Sequence, residues 1–354
     1  MSRFLSPRFS AMEPYVPGEQ PKEREFIKLN TNESPFAPAP GVALALNSER
    51  ISKLNLYPDP VAKEATLLIA EYFGLKPDQV LLGNGSDEIL AFAFQAFCDV
   101  RRPASFADIT YGLYSVLSGL YSLPTRVAPL MQDLSLEPDY YYATEATVFL
   151  ANPNAPTGLA LTLEQIEQIL KRNPNNVVVV DEAYVDFGAQ SAVSLINSYE
   201  NLLVVQTMSK SRNLAGARLG YALGNAELIS DLNKMKFSFN PYNVNSLSLL
   251  AAAEAIKDES YFKRCTDEII RVREITRSAL LERGFELTNS KANFLFAKPP
   301  KLGGGEYYQK LRQLGVLVRH FDKERISDYV RITIGTQEQM EALLEKTDRI
   351  LEGL

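Results

Sequence analysis

Four consecutive valines, Val177 to Val180, run directly into Asp181-Glu182-Ala183-Tyr184. β-Branched side chains on both faces of so short a run suit a strand buried from both sides, as in a parallel sheet covered by helices. Two further apolar runs, Thr147 to Ala151 and Leu202 to Val205, repeat the pattern. Between Thr147 and Leu223, strands alternate with helices or loops, which predicts an α/β fold on a mainly parallel sheet.

Polar residues collect just past these runs. Asp181 lands at the carboxyl end of the valine strand, and Lys210 follows the Leu202–Val205 strand. That is the edge at which open α/β sheets hold ligands. A lysine there can form a Schiff base with an aldehyde, provided its ammonium is pushed toward the neutral amine. Ser209 and Arg218 bracket it with a hydroxyl and a fixed positive fork, a pair suited to a phosphate. Gly216 and Gly220 leave room for close backbone approach. An aldehyde carrying a phosphate describes pyridoxal 5'-phosphate (PLP). Beside such a ring, a buried Asp181 would find a cationic partner in the protonated pyridine nitrogen and keep the ring a strong electron sink. Tyr184, three residues on, can reach the ring's phenolic oxygen. On these residues alone the plainer readings stay open: a solvated Ser-Lys loop and a helix-capping aspartate.

The flanking chain adds weaker signals. Residues 1–45 are rich in proline and polar residues and read as an extended arm. Leu56-Tyr57-Pro58-Asp59-Pro60 is a turn into a helical pattern from Val61 to Phe73, with Tyr57 as an ordinary turn aromatic. Val80 to Leu82 leads into Gly83-Asn84-Gly85-Ser86-Asp87-Glu88, where Ser86 is expected to cap the helix Asp87 to Phe97 and the amides to favour an anion. The turn lacks the Lys-Ser/Thr ending of a nucleotide-binding P-loop. Tyr111, after the strand Pro103 to Ala107, is either core or a platform for a flat ring. Thr162 with Gln165 forms a capping box.

After Leu223 the pattern changes. Phe237 to Asn245 reads as a loop, and helices follow from Ser246 to Ile256 and from Tyr261 to Arg283, the latter ended by Gly284. Strands at Asn293–Ala297, Val316–Phe321 and Tyr329–Ile334 join helices at Glu306–Leu314 and Gln337–Leu351 in a compact α+β unit. Thr336 and Gln339 form a second capping box. Lys301 to Gly305 reads as a flexible surface turn. Arg319 and Arg331 lie at opposite ends of two strands, either on a solvated edge or as a clamp for an anionic substrate. His320 reads as structural. The expected layout is an arm with part of the small domain at 1–45, a large domain at 46–244 and a small domain at 245–354.

Composition narrows the function classes. A net charge of −6 without clustered basic residues argues against nucleic acid. No apolar run approaches a membrane span, and the first residues lack an apolar signal core, so a cytoplasmic protein is expected. Cys98 and Cys265 are far apart and read as reduced core thiols. A single histidine leaves little for a His-based metal site or a serine triad.

Taken together, these motifs resemble fold-type I PLP-dependent enzymes, the histidinol-phosphate aminotransferase family in particular. The resemblance runs from Pro14-Tyr15-Val16-Pro17-Gly18 and Asn32-Glu33-Ser34-Pro35 through Tyr57-Pro58-Asp59-Pro60, Gly83 to Glu88 and Thr110 to Tyr114. It continues through Pro153 to Gly158, Asp181 to Tyr184, Ser209-Lys210 with Ala215 to Tyr221, Gly315 to Phe321 and Val330 to Gly335. Each piece is weak, but their order and spacing are specific.

The resemblance implies a homodimer with a large mainly parallel-sheet domain, a smaller α+β domain and an N-terminal arm. It implies that Lys210 holds PLP as a Schiff base and, once displaced, moves the proton between the substrate carbon and the cofactor. Asp181 would pair the pyridinium nitrogen, Tyr184 would bond the ring oxygen and Tyr111 would stack on the ring. The amides of Ser86 and Asp87, the Ser209 hydroxyl and Arg218 would hold the phosphate. Tyr57 would reach across the dimer interface to the partner's cofactor phosphate and substrate. Arg331 would take the α-carboxylate of glutamate; Arg319 and Tyr15 would meet the substrate phosphate or the second carboxylate, with Asn32 also at the substrate.

One departure stands out. The family often carries asparagine just before Pro-Thr-Gly, bonded to the ring oxygen, and here that position is Ala155. The contact then rests on Tyr184, or on Asn154 by a local shift. The implied reaction moves an amino group between glutamate/2-oxoglutarate and histidinol phosphate/imidazole acetol phosphate. Aromatic amino-acid aminotransferases and threonine-phosphate decarboxylases share the scaffold and stay open as alternatives, as does a ligand-binding regulator without turnover.

Overall fold

The protein is described by a computed structural model over residues 2–10, 12–20 and 25–353. Its strands, in chain order, are β1 (Ile27–Lys28), β2 (Val80–Gly83), β3 (Ala104–Ala107), β4 (Thr125–Ala128), β5 (Thr147–Ala151), β6 (Val178–Asp181), β7 (Leu202–Thr207) and β8 (Gly220–Gly224). Then come β9 (Glu286–Leu287), β10 (Phe294–Lys298), β11 (Val316–Leu317), β12 (Arg319–His320) and β13 (Val330–Thr333).

The valine run is the middle of a seven-stranded sheet ordered β2-β8-β7-β6-β5-β3-β4. Neighbours from β4 to β7 are parallel; β8 runs antiparallel to both β7 and β2. Alternation along each strand divides the core. Val179, Leu203 and Val205 pack on one face with the helices Ser86–Phe97 and Ala226–Phe239. Val178, Val180, Leu202 and Val204 pack on the other with Lys63–Phe73, Leu163–Arg172 and Ser246–Lys257. Each fully buried valine contributes roughly 1.5–3 kcal/mol by leaving water. The mainly parallel sheet follows the expectation, and no helix among the described residues is long and apolar enough to cross a membrane.

A second sheet, β12-β13-β10-β9, is antiparallel throughout. The N-terminal arm packs beside it: β1 pairs in parallel with β11 as a separate two-stranded sheet, and Leu29 is buried with Val316, Val318, Ile332 and Ile334. Both capping boxes form as expected, with Thr162 accepting from the Gln165 N–H and Thr336 from that of Gln339.

Four local expectations need correction. The single strand expected over Val316–Phe321 is two, because the chain changes partner from β1 to β13 at Val318. Phe237 to Phe239 belong to the helix Ala226–Phe239, whose buried face repeats at Ile229, Leu232 and Lys236; only residues 240–245 are loop. Gly304 and Gly305 open the helix Gly304–Gln313 and are no surface turn. Ser86 is the first residue of its helix and caps nothing. Gly85, at φ +80°, holds the cap position, and the Glu88 carboxylate closes the turn by accepting from the Asn84 N–H at 2.6 Å.

Candidate active site

Parallel strands end on one edge, so β2, β3, β5, β6 and β7 deliver their following turns to the same place. Because β8 is antiparallel, the residue that enters it, Arg218, also starts at that edge. The edge, the arm and the second sheet enclose a cavity of about 600 Å³. Among its lining residues are Tyr15, Asn32, Ser86, Asp87, Tyr111, Asp181, Tyr184, Ser209, Lys210, Arg218, Arg319 and Arg331. A second hollow of about 760 Å³ around Phe36, Tyr261 and Arg264 holds none of the candidate cofactor- or substrate-binding residues.

Lys210 sits three residues past β7. Its Nζ donates to the Thr31 carbonyl at 3.3 Å, a bond from the arm to the sheet edge. Burial, and then the Arg331 charge, lower its pKa to about 8, against the opposing pull of Glu33 and Asp87. A lysine so placed has an accessible neutral amine near neutral pH.

Asp181, the last residue of β6, is 4% exposed. Burial pushes its carboxyl up to about 6, while hydrogen bonds from the Tyr114 hydroxyl and the Ala183 N–H pull it down. Those bonds are 2.9 Å to Oδ2 and 3.2 Å to Oδ1, and no cation is paired with the carboxylate among the described residues. Tyr184 accepts from Asn32 Nδ2 at 2.9 Å, and burial raises its pKa, so its hydroxyl keeps a proton to donate. Asn32 is itself fastened: its N–H donates to Thr333 Oγ1 at 2.9 Å, and its carbonyl accepts from Asn293 Nδ2 at 3.1 Å.

Gly83, Gly220 and Thr207 are aligned across three strands. A Cβ on Gly220 would lie 2.4 Å from the Ser86 nitrogen, so only glycine lets the helix N-terminus press this close to β8. Beside this contact, Ser86, Thr207, Ser209 and Arg218 line the cavity. Arg218 donates to Asp87 Oδ2 at 2.9 Å, and Tyr111 donates to Asp87 Oδ1 at 2.8 Å. The Asp87 side chain therefore braces the cationic fork and the aromatic platform together.

On the other side, Arg319 and Arg331 are direct cross-strand partners. Sequence placed them at opposite strand ends; antiparallel pairing makes them neighbours. Like charges facing each other across a ladder are destabilising. Neither has a carboxylate within salt-bridge distance among the described residues. Arg319 donates to the Val16 and Pro17 carbonyls and Arg331 to that of Asn30, while Arg331 Nε is buried without a partner. Two guanidiniums with spare donors on a cavity wall form an anion site. Tyr15, from the arm, lies edge-on to Tyr111 with ring centroids 5.9 Å apart.

Two residues singled out in the sequence lie elsewhere. Asn154 is fully buried and turned from the cavity, donating to the Ile109 carbonyl at 2.9 Å and accepting from Thr110 Oγ1 at 2.7 Å. The local shift envisaged for it does not occur, and Ala155 lines the wall without a polar side chain. Tyr57 is 80% exposed, stacked on Tyr242 at 4.4 Å, and does not line the cavity of its own chain. Sequence reasoning missed the Thr31 carbonyl, which carries no side-chain signature, and Tyr114. The latter is the second residue of the helix Leu113–Leu120, and its partner Asp181 lies 67 positions on, so no local spacing announces the contact.

Residues 24–346 match the family described as aminotransferase class I and II. Fold and site together thus define an aminotransferase of class I and II. A histidinol-phosphate aminotransferase of Brachyspira hyodysenteriae is 47% identical over 354 residues, 100% of both chains. That of a Marinomonas species is 50% identical over 346 residues, 97% of this chain and 98% of the other. The crystal structure of histidinol-phosphate aminotransferase from Sinorhizobium meliloti in complex with pyridoxal-5'-phosphate matches with a TM-score of 0.89 at 23% identity, covering 100% of this chain and 98% of that one. The chain belongs to the histidinol-phosphate aminotransferase family.

Proposed function

We propose that the protein is a PLP-dependent histidinol-phosphate aminotransferase of histidine biosynthesis. It transfers an amino group between L-glutamate/2-oxoglutarate and L-histidinol phosphate/imidazole acetol phosphate. The observation that carries the substrate reading is the Arg319–Arg331 pair, two guanidiniums unneutralised by any described carboxylate, facing a cavity that also holds Lys210 and Asp181.

The residues present fit PLP. Lys210 offers an amine whose ammonium is weakened by burial, and Asp181 offers a buried carboxylate that lacks a cation. The stretch of cavity wall formed by Ser86, at a helix N-terminus, with Ser209 and Arg218 suits a phosphate. When bound, PLP supplies the carbonyl that exchanges the amino group and a ring that draws electrons from the substrate carbon. Lys210 would hold it through Nζ and, as a free amine, would take the proton from the substrate carbon that bears nitrogen and carry it to the cofactor's carbonyl carbon. Asp181 would pair the protonated ring nitrogen, and Tyr184 would donate to the ring oxygen without help from residues 154 and 155. Arg331 binds the α-carboxylate of glutamate. Arg319, with Tyr15 beside it and Asn32 behind Tyr184, serves the distal anion, whether phosphate or the second carboxylate.

This division of labour has a kinetic signature. Arg319→Leu is expected to raise KM for histidinol phosphate by about 10- to 100-fold, the worth of a hydrogen-bonded charge, and to leave KM for phenylalanine unchanged. Equal losses on both donors in steady-state assays would refute a distal-anion role.

Lys210 also sets a pH dependence. Only the neutral amine attacks a carbonyl, and the ammonium dominates below about 8. The rate of PLP capture by apo-protein, followed by stopped-flow absorbance, is expected to rise about tenfold per pH unit up to that point and then level. A rise continuing toward pH 10 would mean an ordinary lysine.

The assignment is tested by adding single amino donors to PLP-loaded protein and recording absorbance. Conversion to pyridoxamine phosphate far faster with histidinol phosphate than with phenylalanine is the expected result. Preference for phenylalanine would indicate an aromatic aminotransferase, and carbon dioxide release from threonine phosphate a decarboxylase.

A homodimer belongs to the same proposal, with Tyr57 reaching the partner's phosphate site. Leu56, Tyr57, Val61, Phe237, Phe239 and Tyr242 are exposed. The Tyr57–Tyr242 stack and the bond from Lys236 Nζ to the Pro60 carbonyl draw their two segments together. Apolar side chains gathered in this way favour an interface. A monomer mass in sedimentation equilibrium at micromolar concentration would overturn it. A cytoplasmic location is supported by the buried free thiols Cys98 and Cys265.

A further inference from the structure

Tyr114 takes no part in the mechanism above, yet it is the residue most closely tied to Asp181. It lies on the helix Leu113–Leu120 and is 0% exposed. Its ring is walled by Phe94, Phe106, Tyr111 and Phe149, with centroids 5.8 to 6.3 Å away. Such a wall asks for an aromatic ring, and phenylalanine would fill it without having to satisfy a hydroxyl. The hydroxyl donates to Asp181 Oδ2 at 2.9 Å. Burial beside that carboxylate holds the phenol's pKa well above its ordinary value, so it stays a donor.

From this geometry we infer that Tyr114 is a positioning residue: its hydroxyl orients the Asp181 carboxylate toward the cofactor ring nitrogen. One carboxylate oxygen is tied to the sheet-edge backbone through the Ala183 N–H and the other to the helix through Tyr114. The carboxylate can then neither rotate nor turn back into the core. The remaining lone pairs are left for the cavity, which Asp181 lines. The same hydrogen bond favours the ionised form against the burial that disfavours it.

The inference rests on the PLP reading of the site, and its test separates the two. Apo-protein of wild type and of Tyr114→Phe is titrated with PLP and with 1-deazapyridoxal 5'-phosphate, which carries C–H where PLP carries the ring nitrogen. Tyr114→Phe is expected to weaken PLP binding about tenfold or more, the worth of a hydrogen bond to a charged group. The deaza analogue is expected to bind both proteins alike, because it offers Asp181 nothing to hold. In an Asp181→Asn background, the tyrosine substitution is expected to cost no further PLP affinity. Equal losses on both ligands would reduce Tyr114 to packing and overturn the inference, as would unchanged PLP affinity. Failure of wild-type protein to bind PLP would remove the underlying reading and this inference with it.

Discussion

Lys210→Ala is expected to abolish transamination, with a loss of roughly 10⁴-fold or more, because in the proposed mechanism one side chain supplies both the covalent anchor and the moving proton. The two roles separate experimentally. Borohydride treatment of PLP-loaded wild type is expected to fix the cofactor on the peptide containing Lys210, and the variant is expected to stay unlabelled. An added primary amine can restore part of the proton transfer but not the anchor. Partial rescue of the single half-reaction, with labelling still absent, is therefore the expected pattern. A variant that retained full turnover would overturn the mechanism outright. Because Lys210 Nζ also bonds the Thr31 carbonyl, the variant is further expected to loosen the arm, read as faster proteolysis within the first thirty residues.

Asp181→Asn is expected to lower kcat by about two to four orders of magnitude, since removing one member of a buried ion pair costs about 3–5 kcal/mol. Stability should move the other way in apo-protein. The folded carboxyl titrates near 6, above its ordinary 3.8. A carboxyl raised in this way favours folding when protonated. Its ionisation costs stability progressively as pH climbs from 3.8 to 6, and the cost is fully present above 6. At pH 7.5 apo-Asp181→Asn is expected to melt at or above the wild-type temperature while losing activity. A variant that lost stability and activity together would mean a structural aspartate.

Much of this architecture is legible in the sequence because it depends on local pattern. Four valines can hardly be anything but a strand buried on two faces, and a residue that ends such a strand must stand at the sheet edge. Thr162 with Gln165 and Thr336 with Gln339 cap their helices because a capping box involves only four successive residues. Lys210, Asp181 and Arg218 line the cavity for the same reason that they stand out in the sequence: each is tied by short spacing to a strand that announces itself.

The misreadings share a cause. Ser86 has the chemistry of a cap, but the close approach of β8 at Gly220 puts Gly85 in that position. Val316 to Phe321 has no turn residue to interrupt it and reads as one strand, yet it serves two different partners. Asn154 is turned away from the cavity because Thr110, Thr157 and the Ile109 carbonyl claim its side-chain amide. Arg319 and Arg331 are twelve positions apart in the chain, and only antiparallel register sets them side by side.

By itself the sequence determined the α/β sheet, the edge at which polar residues gather, and the presence of Lys210, Asp181 and Arg218 at that edge. Those follow from periodicity, turn chemistry and short-range spacing. Tertiary structure alone decided which groups meet across the cavity: the Thr31 carbonyl on Lys210, Asn32 on Tyr184, Asp87 between Tyr111 and Arg218, and Tyr114 on Asp181. Each of these contacts joins chain segments whose separation no local propensity encodes, and each exists because sheet order and helix packing bring two polar groups within hydrogen-bond reach.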